Sequence, residues 1–193
     1  LSELSQDPNA RGVYLESIRR GTEPLPREPG TVLERGDILR IVGAPGLGKT
    51  TLACAAARRL GRPVYLFQCT MDTRPEDLVI TPVLTPDRRV DYHASSVVSA
   101  MVRGGIAVLD EGNRMPERAW ASLAPLMDDR RYVESAVAAI KVKAHPDFRL
   151  CVTMNADASV YELPGYIQSR LKPRIDIVAP PWALQEQILR LKC

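Results

Sequence analysis

GAPGLGKT, Gly43–Thr50, fits the pattern G-x-x-x-x-G-K-[ST] at every position. The glycines let backbone N–H groups curl inward to face one anion. Lys49 would then reach the β- and γ-phosphates, and Thr50 would set its hydroxyl on a magnesium ion. A pattern match alone can arise by chance, so the setting decides: a phosphate loop follows a buried strand and opens a helix. Both are present. DILRIVG (Asp37–Gly43) is a short apolar run interrupted only by Arg40. TTLACAAARRLG (Thr50–Gly61) is rich in strong helix formers and ends on glycine. PVYLFQC (Pro63–Cys69) then reads as a further strand. This βαβ order predicts an α/β fold with a mostly parallel sheet covered by helices.

Outward from this unit, GIAVLDE (Gly105–Glu111), FRLCVTMN (Phe148–Asn155) and RIDIVAP (Arg174–Pro180) read as three more strands. SSVVSAMVRG and AWASLAPLMDD read as helices, TPDRRVDY as a small hairpin or loop, and residues 129–143 as a hairpin. Residues 1–20 read as a short helix or an irregular arm, with Val13, Leu15 and Ile18 interspersed with charge. TEPLPREPG reads as an extended proline-rich linker. The division expected is an arm and linker over 1–32, a nucleotide-binding core over 33–180 and the start of a further segment over 181–193.

GIAVLDE supplies the second requirement of a phosphate site. In an open α/β sheet the ligand lies beyond the carboxyl ends of the strands. Asp110 there would orient the hydration shell of magnesium, a hard cation that prefers carboxylate, water and phosphate oxygens. Glu111 would polarise or position the water that attacks the γ-phosphate. Asn155, ending its own strand, would hold that water or a γ-phosphate oxygen with a neutral amide; its other reading is a turn-forming residue. Arg170 and Arg174 offer guanidinium forks suited to phosphate oxygens in this chain or in a neighbouring subunit, or else surface ion pairs.

The composition sets bounds. The 193 residues suffice for one domain with a sizeable core, and 45% of them are hydrophobic. A net charge of +3 permits nucleic-acid binding without arguing for it, and two Phe with two Trp make a base-stacking platform unlike this chain. Cys54, Cys69, Cys151 and Cys193 lack metal-like spacing and read as buried thiols. His93 and His145 are far apart and have no ligand pattern. No apolar run is long enough for a bilayer and no secretory leader is visible, so a cytoplasmic location is the expectation. The chain stops at Cys193 within an apolar-periodic stretch, as a fragment would.

Taken in order, GAPGLGKT, IAVLDE, VTMN and ELPGYIQSRLKPRI resemble the AAA+ ATPases, and within them the MoxR-like, dynein-related branch. The resemblance covers about 33–180. It implies a P-loop NTPase three-layer fold with a five-stranded sheet of order 5-1-4-3-2 and, after residue 180, a helical lid that is largely absent here. ATP or ADP would be held by Gly43, Ala44, Pro45, Gly46, Leu47, Gly48, Lys49, Thr50 and Thr51, and Mg²⁺ by Thr50 and Asp110. Lys49, Asp110, Glu111, Asn155 and Arg170 would be catalytic: Walker A, Walker B, sensor 1 and the arginine finger. Arg174 is a second candidate for the finger. Asn113 and Arg114 match the family's polar pair after Walker B. Many relatives carry Pro after the sensor asparagine, where this chain has Ala156. The family implies a hexameric ring, ATP-driven remodelling or maturation of a client protein, and partners with a von Willebrand factor A domain. Two other functions share this phosphate site. One is a nucleotide-dependent assembly module with little hydrolysis; the other is a small-molecule or nucleotide kinase, for which no acceptor pocket is legible.

Overall fold

The computed structural model describes residues 14–20, 22–26, 37–156, 162–182, 185, 186 and 190. In chain order the elements are β1 (Tyr14–Arg20), β2 (Glu23–Leu25), β3 (Leu39–Gly43), α1 (Lys49–Arg59), β4 (Val64–Gln68), α2 (Pro75–Leu78), β5 (Ile80–Leu84), β6 (Val90–Ala94), α3 (Ser96–Arg103), β7 (Ile106–Asp110), α4 (Glu117–Leu123), β8 (Tyr132–Ser135), β9 (Ile140–Lys143), β10 (Arg149–Asn155), α5 (Gly165–Gln168) and β11 (Arg174–Val178).

The five strands expected from the sequence form a parallel array in the order β11-β3-β10-β7-β4. Numbered among themselves, that is 5-1-4-3-2. The near-continuous apolar runs of β7 and β10 follow from burial on both faces, which removes the polar alternation that β11 keeps in Arg174 and Asp176. Side chains still alternate between the faces. Ile106, Val108 and Cys151 enter one core with Ile41, Leu52, Ala53, Ala57, Ile175 and Ile177. Ala107, Leu109, Leu150, Val152 and Met154 enter the other, with Val97, Met101, Trp120, Leu123 and Phe148. The sheet is thus the middle of three layers, with α1 on one face and α3 and α4 on the other. α3 shows why its sequence folds locally. Ser95 Oγ accepts the N–H of Val98, and Gly104 ends the helix at φ 65, a conformation that only glycine adopts freely.

Two expectations need correction. The sheet has seven strands, not five, because β1 pairs antiparallel with β11 and β2 with β1. Residues 14–20 are therefore a strand, where a helix or irregular arm was expected. Ile18 is buried in the α1-side core, so burying one apolar face against β11 outweighs the charged residues around it. Glu23–Leu25, read from the sequence as part of an extended linker, is extended but is the edge strand β2 of the sheet; 27–36 and most of 181–193 lie outside the described residues. Both hairpins are present: β5 with β6, and β8 with β9. Among the described residues no helix is long and apolar enough to cross a membrane.

Candidate nucleotide site

β3 ends at Gly43 and α1 begins at Lys49, so the phosphate-loop sequence is the connection between them. Gly43 is forced by packing: a Cβ there would lie 2.6 Å from the carbonyl oxygen of Ile177 and 2.7 Å from its Cγ1. Gly46 and Gly48 both have φ 80, and Gly48 is the residue that turns the chain into α1. Ala44, Pro45 and Gly46 form the exposed crest, while Leu47 packs against the α1-side core. Lys49 is buried, and its Nζ donates to the carbonyls of Gly43 at 3.0 Å and Ala44 at 2.7 Å, which holds the ammonium across the loop. Thr51 faces outward on the first turn of α1.

Register brings the acids to the same edge. Asn155 pairs with Gly43 across β10 and β3, and Gln68 pairs with Asp110 across β4 and β7. Thr50 Oγ1 donates to Asp110 Oδ1 at 2.5 Å, joining loop to acid directly, and Thr153 Oγ1 donates to the same oxygen at 2.5 Å. Glu111 turns the chain at φ 55, ψ 42, a left-handed conformation uncommon for a residue with a side chain. Among the described residues its carboxylate accepts from two amides and forms an ion pair with one arginine. Asn155 Nδ2 reaches Oε1 at 3.0 Å, while Gln68 Nε2 and Arg114 Nε each reach Oε2 at 3.1 Å. Asn113 in turn grips the backbone of Asn155, donating from Nδ2 to its carbonyl at 2.8 Å and accepting its N–H at 3.3 Å.

Lys49, Thr50, Asp110, Glu111 and Asn155 are thus gathered at one sheet edge. Arg170 is not: its Nη1 donates to the Tyr166 carbonyl at 2.6 Å, and its Nη2 lies 3.7 Å from Asp128 Oδ2. Arg174 sits near the opposite end of the sheet. It pairs with Arg40 at the amino end of β3, and its guanidinium binds Asp176 at 2.7 Å. Gln68 and Thr153 were missed by the sequence reading. Each is a polar residue inside an apolar strand run, a signal that was there to be weighed.

The thiols nearby are packing groups. Burial, reinforced by Asp110 and Glu111, drives the Cys69 thiol far above its ordinary range, and burial with Cys54 and Asp110 pushes Cys151 up to about 12. Gly112 follows the acids for a steric reason: a Cβ would lie 2.5 Å from Val152 Cγ1 and 3.2 Å from Trp120 Cζ2, both on buried side chains. Gly112→Ala is therefore expected to cost about 1–3 kcal/mol of stability through overpacking, measured by denaturant unfolding. An unchanged midpoint would show that this contact has slack.

With this geometry in view, similarity to known proteins is informative. Residues 38–171 match the AAA domain family, dynein-related subfamily. NorQ of Paracoccus denitrificans is 32% identical over 133 residues, 68% of this chain and 46% of that protein. The denitrification regulatory protein NirQ of Stutzerimonas stutzeri is 31% identical over 165 residues, 81% of this chain and 57% of that protein. A crystal structure of a protein described only as a candidate ATPase, from Cytophaga hutchinsonii, superposes with a TM-score of 0.64 at 21% identity over 81% of this chain and 46% of that one, a likeness of fold. The chain belongs to the AAA+ ATPases, in the MoxR-like, dynein-related group. It spans about half the length of the curated relatives it matches.

Proposed function

We propose that this chain is the nucleotide-binding core of an enzyme that hydrolyses ATP to ADP and phosphate with Mg²⁺, and that the full protein couples this reaction to remodelling or maturation of a client protein within a ring of like subunits. One observation carries the reading: Thr50 of the phosphate loop and Asp110 of the acid pair are hydrogen-bonded to each other, with Lys49 across the loop and Glu111 alongside.

The residues fit the groups this reaction needs. The Asp110 carboxylate and the Thr50 hydroxyl bonded to it are oxygen ligands of the kind magnesium selects, and the glycines leave the loop backbone open to an anion. Mg²⁺ held through Thr50 and Asp110 would neutralise phosphate charge and help align the transferred group. Lys49 contributes a fixed positive charge at the mouth of the loop. Glu111 orients the attacking water and accepts its proton; Asn155, bonded to that carboxylate, holds it in place. The work is mostly positioning and electrostatics on preorganised groups.

Arg170 lies outside its own chain's acid cluster, tethered to Asp128, which supports a role at a neighbouring subunit's site. Arg170→Ala is expected to lower phosphate release by the assembled protein about 10³-fold while leaving ATP affinity per chain intact. Wild-type turnover in that variant would remove Arg170 from the reaction. The exposed Val137 and Ile140 of the β8–β9 hairpin support a client contact. Replacing its turn should keep basal hydrolysis and reduce client stimulation; full stimulation would refute that contact. Neighbouring von Willebrand factor A-domain proteins are the partners to try first.

A further inference from the structure

The two acids at the end of β7 have different tasks but share one buried hydroxyl. Thr153 has no exposed surface. Its Oγ1 accepts the N–H of Glu111 at 3.0 Å and donates to Asp110 Oδ1 at 2.5 Å. A hydroxyl carries one hydrogen and two lone pairs, so both bonds form at once. The first satisfies the backbone of Glu111 in its left-handed turn at φ 55, the conformation that carries its carboxyl to Asn155 and Gln68. The second joins the bond from Thr50 on the same carboxylate oxygen. Among the described residues no hydrogen bond reaches Asp110 Oδ2, so the two hydroxyls together hold the carboxylate with one oxygen left for a ligand.

We propose that Thr153 is a positioning residue of this site: its hydroxyl sets the carboxylate of Asp110 for the metal and fixes the turn that aims Glu111. This rests on the ATPase reading above. It explains why a polar residue stands in the middle of the buried run LCVTMN, where packing alone would favour valine. Valine has nearly the same shape and can make neither bond. Serine keeps the hydroxyl and loses the methyl group.

That contrast makes the test. Equilibrium binding of a fluorescent ATP analogue to the intact chain is measured with and without Mg²⁺ for wild type, Thr153→Val and Thr153→Ser, with thermal unfolding as the check on folding. Thr153→Val is expected to cut the affinity gained from Mg²⁺ by about tenfold or more, the scale of a lost hydrogen bond to a charged group, and to leave Mg²⁺-free binding unchanged. Thr153→Ser is expected to behave as wild type. A serine variant as impaired as the valine one, or a valine variant with the full Mg²⁺ gain, overturns the inference. If the valine variant does not fold, Thr153→Ala against Thr153→Ser decides in the same way: Ala impaired and Ser intact supports it, while equal behaviour overturns it. A wild-type chain that binds no nucleotide overturns the ATPase reading and this inference together. Wild-type binding whose Mg²⁺ gain survives without the hydroxyl overturns the inference alone.

Discussion

Glu111→Gln should bind ATP as tightly as the wild-type protein and release phosphate about 10²–10⁴-fold more slowly. The amide keeps the size of the side chain and an oxygen to accept from Asn155 Nδ2, which lies 3.0 Å from Oε1. It can no longer take a proton from water, its new N–H₂ faces Gln68 Nε2, which donates to Oε2 at 3.1 Å, and the ion pair with Arg114, whose Nε lies 3.1 Å from the same oxygen, is lost. Steady-state phosphate release beside equilibrium nucleotide binding separates the two effects. Equal turnover in the two proteins would take Glu111 out of the chemistry, whereas a parallel loss of binding would make it a nucleotide-holding residue instead.

Lys49→Ala should fail one step earlier. The buried ammonium lies across the phosphate loop on the carbonyls of Gly43 and Ala44, so its removal leaves that mouth without its fixed cation. Truncating one member of a buried charge pair costs about 2–5 kcal/mol, roughly 30- to several-thousand-fold in ATP affinity. Thermal unfolding of the nucleotide-free variant distinguishes this from misfolding. ATP affinity within error of wild type would show that Lys49 is not a phosphate ligand.

The five parallel strands could be read from the sequence because each is a short, mainly apolar run, most fully buried in β7 and β10, and the chemistry stands at the strand ends: Gly43, Asp110 and Asn155. β1 escaped for the opposite reason. Its run YLESIRR mixes charge with apolar residues, and its partner β11 lies far away in the chain, so no local signal announces the pairing. The same applies within the site. A threonine at 153 or a glutamine at 68 stands out only as a polar residue in an apolar run, which names no partner; the registers Val152 with Leu109 and Gln68 with Asp110 bring them to the acids. Of the two readings open for Arg174, a phosphate fork or an ion pair, the structure shows the ion pair, with Asp176. Strand direction decides its place, because a residue that opens a parallel strand lies at the end of the sheet away from the phosphate loop.

The most direct test of the central claim is phosphate release from ATP by the full-length protein, with Mg²⁺ and after its chelation. Repeated turnover that stops on chelation and is lost in Glu111→Gln is the predicted result. Phosphate release no greater than that of Glu111→Gln, with Mg²⁺ and ATP both saturating, would contradict it.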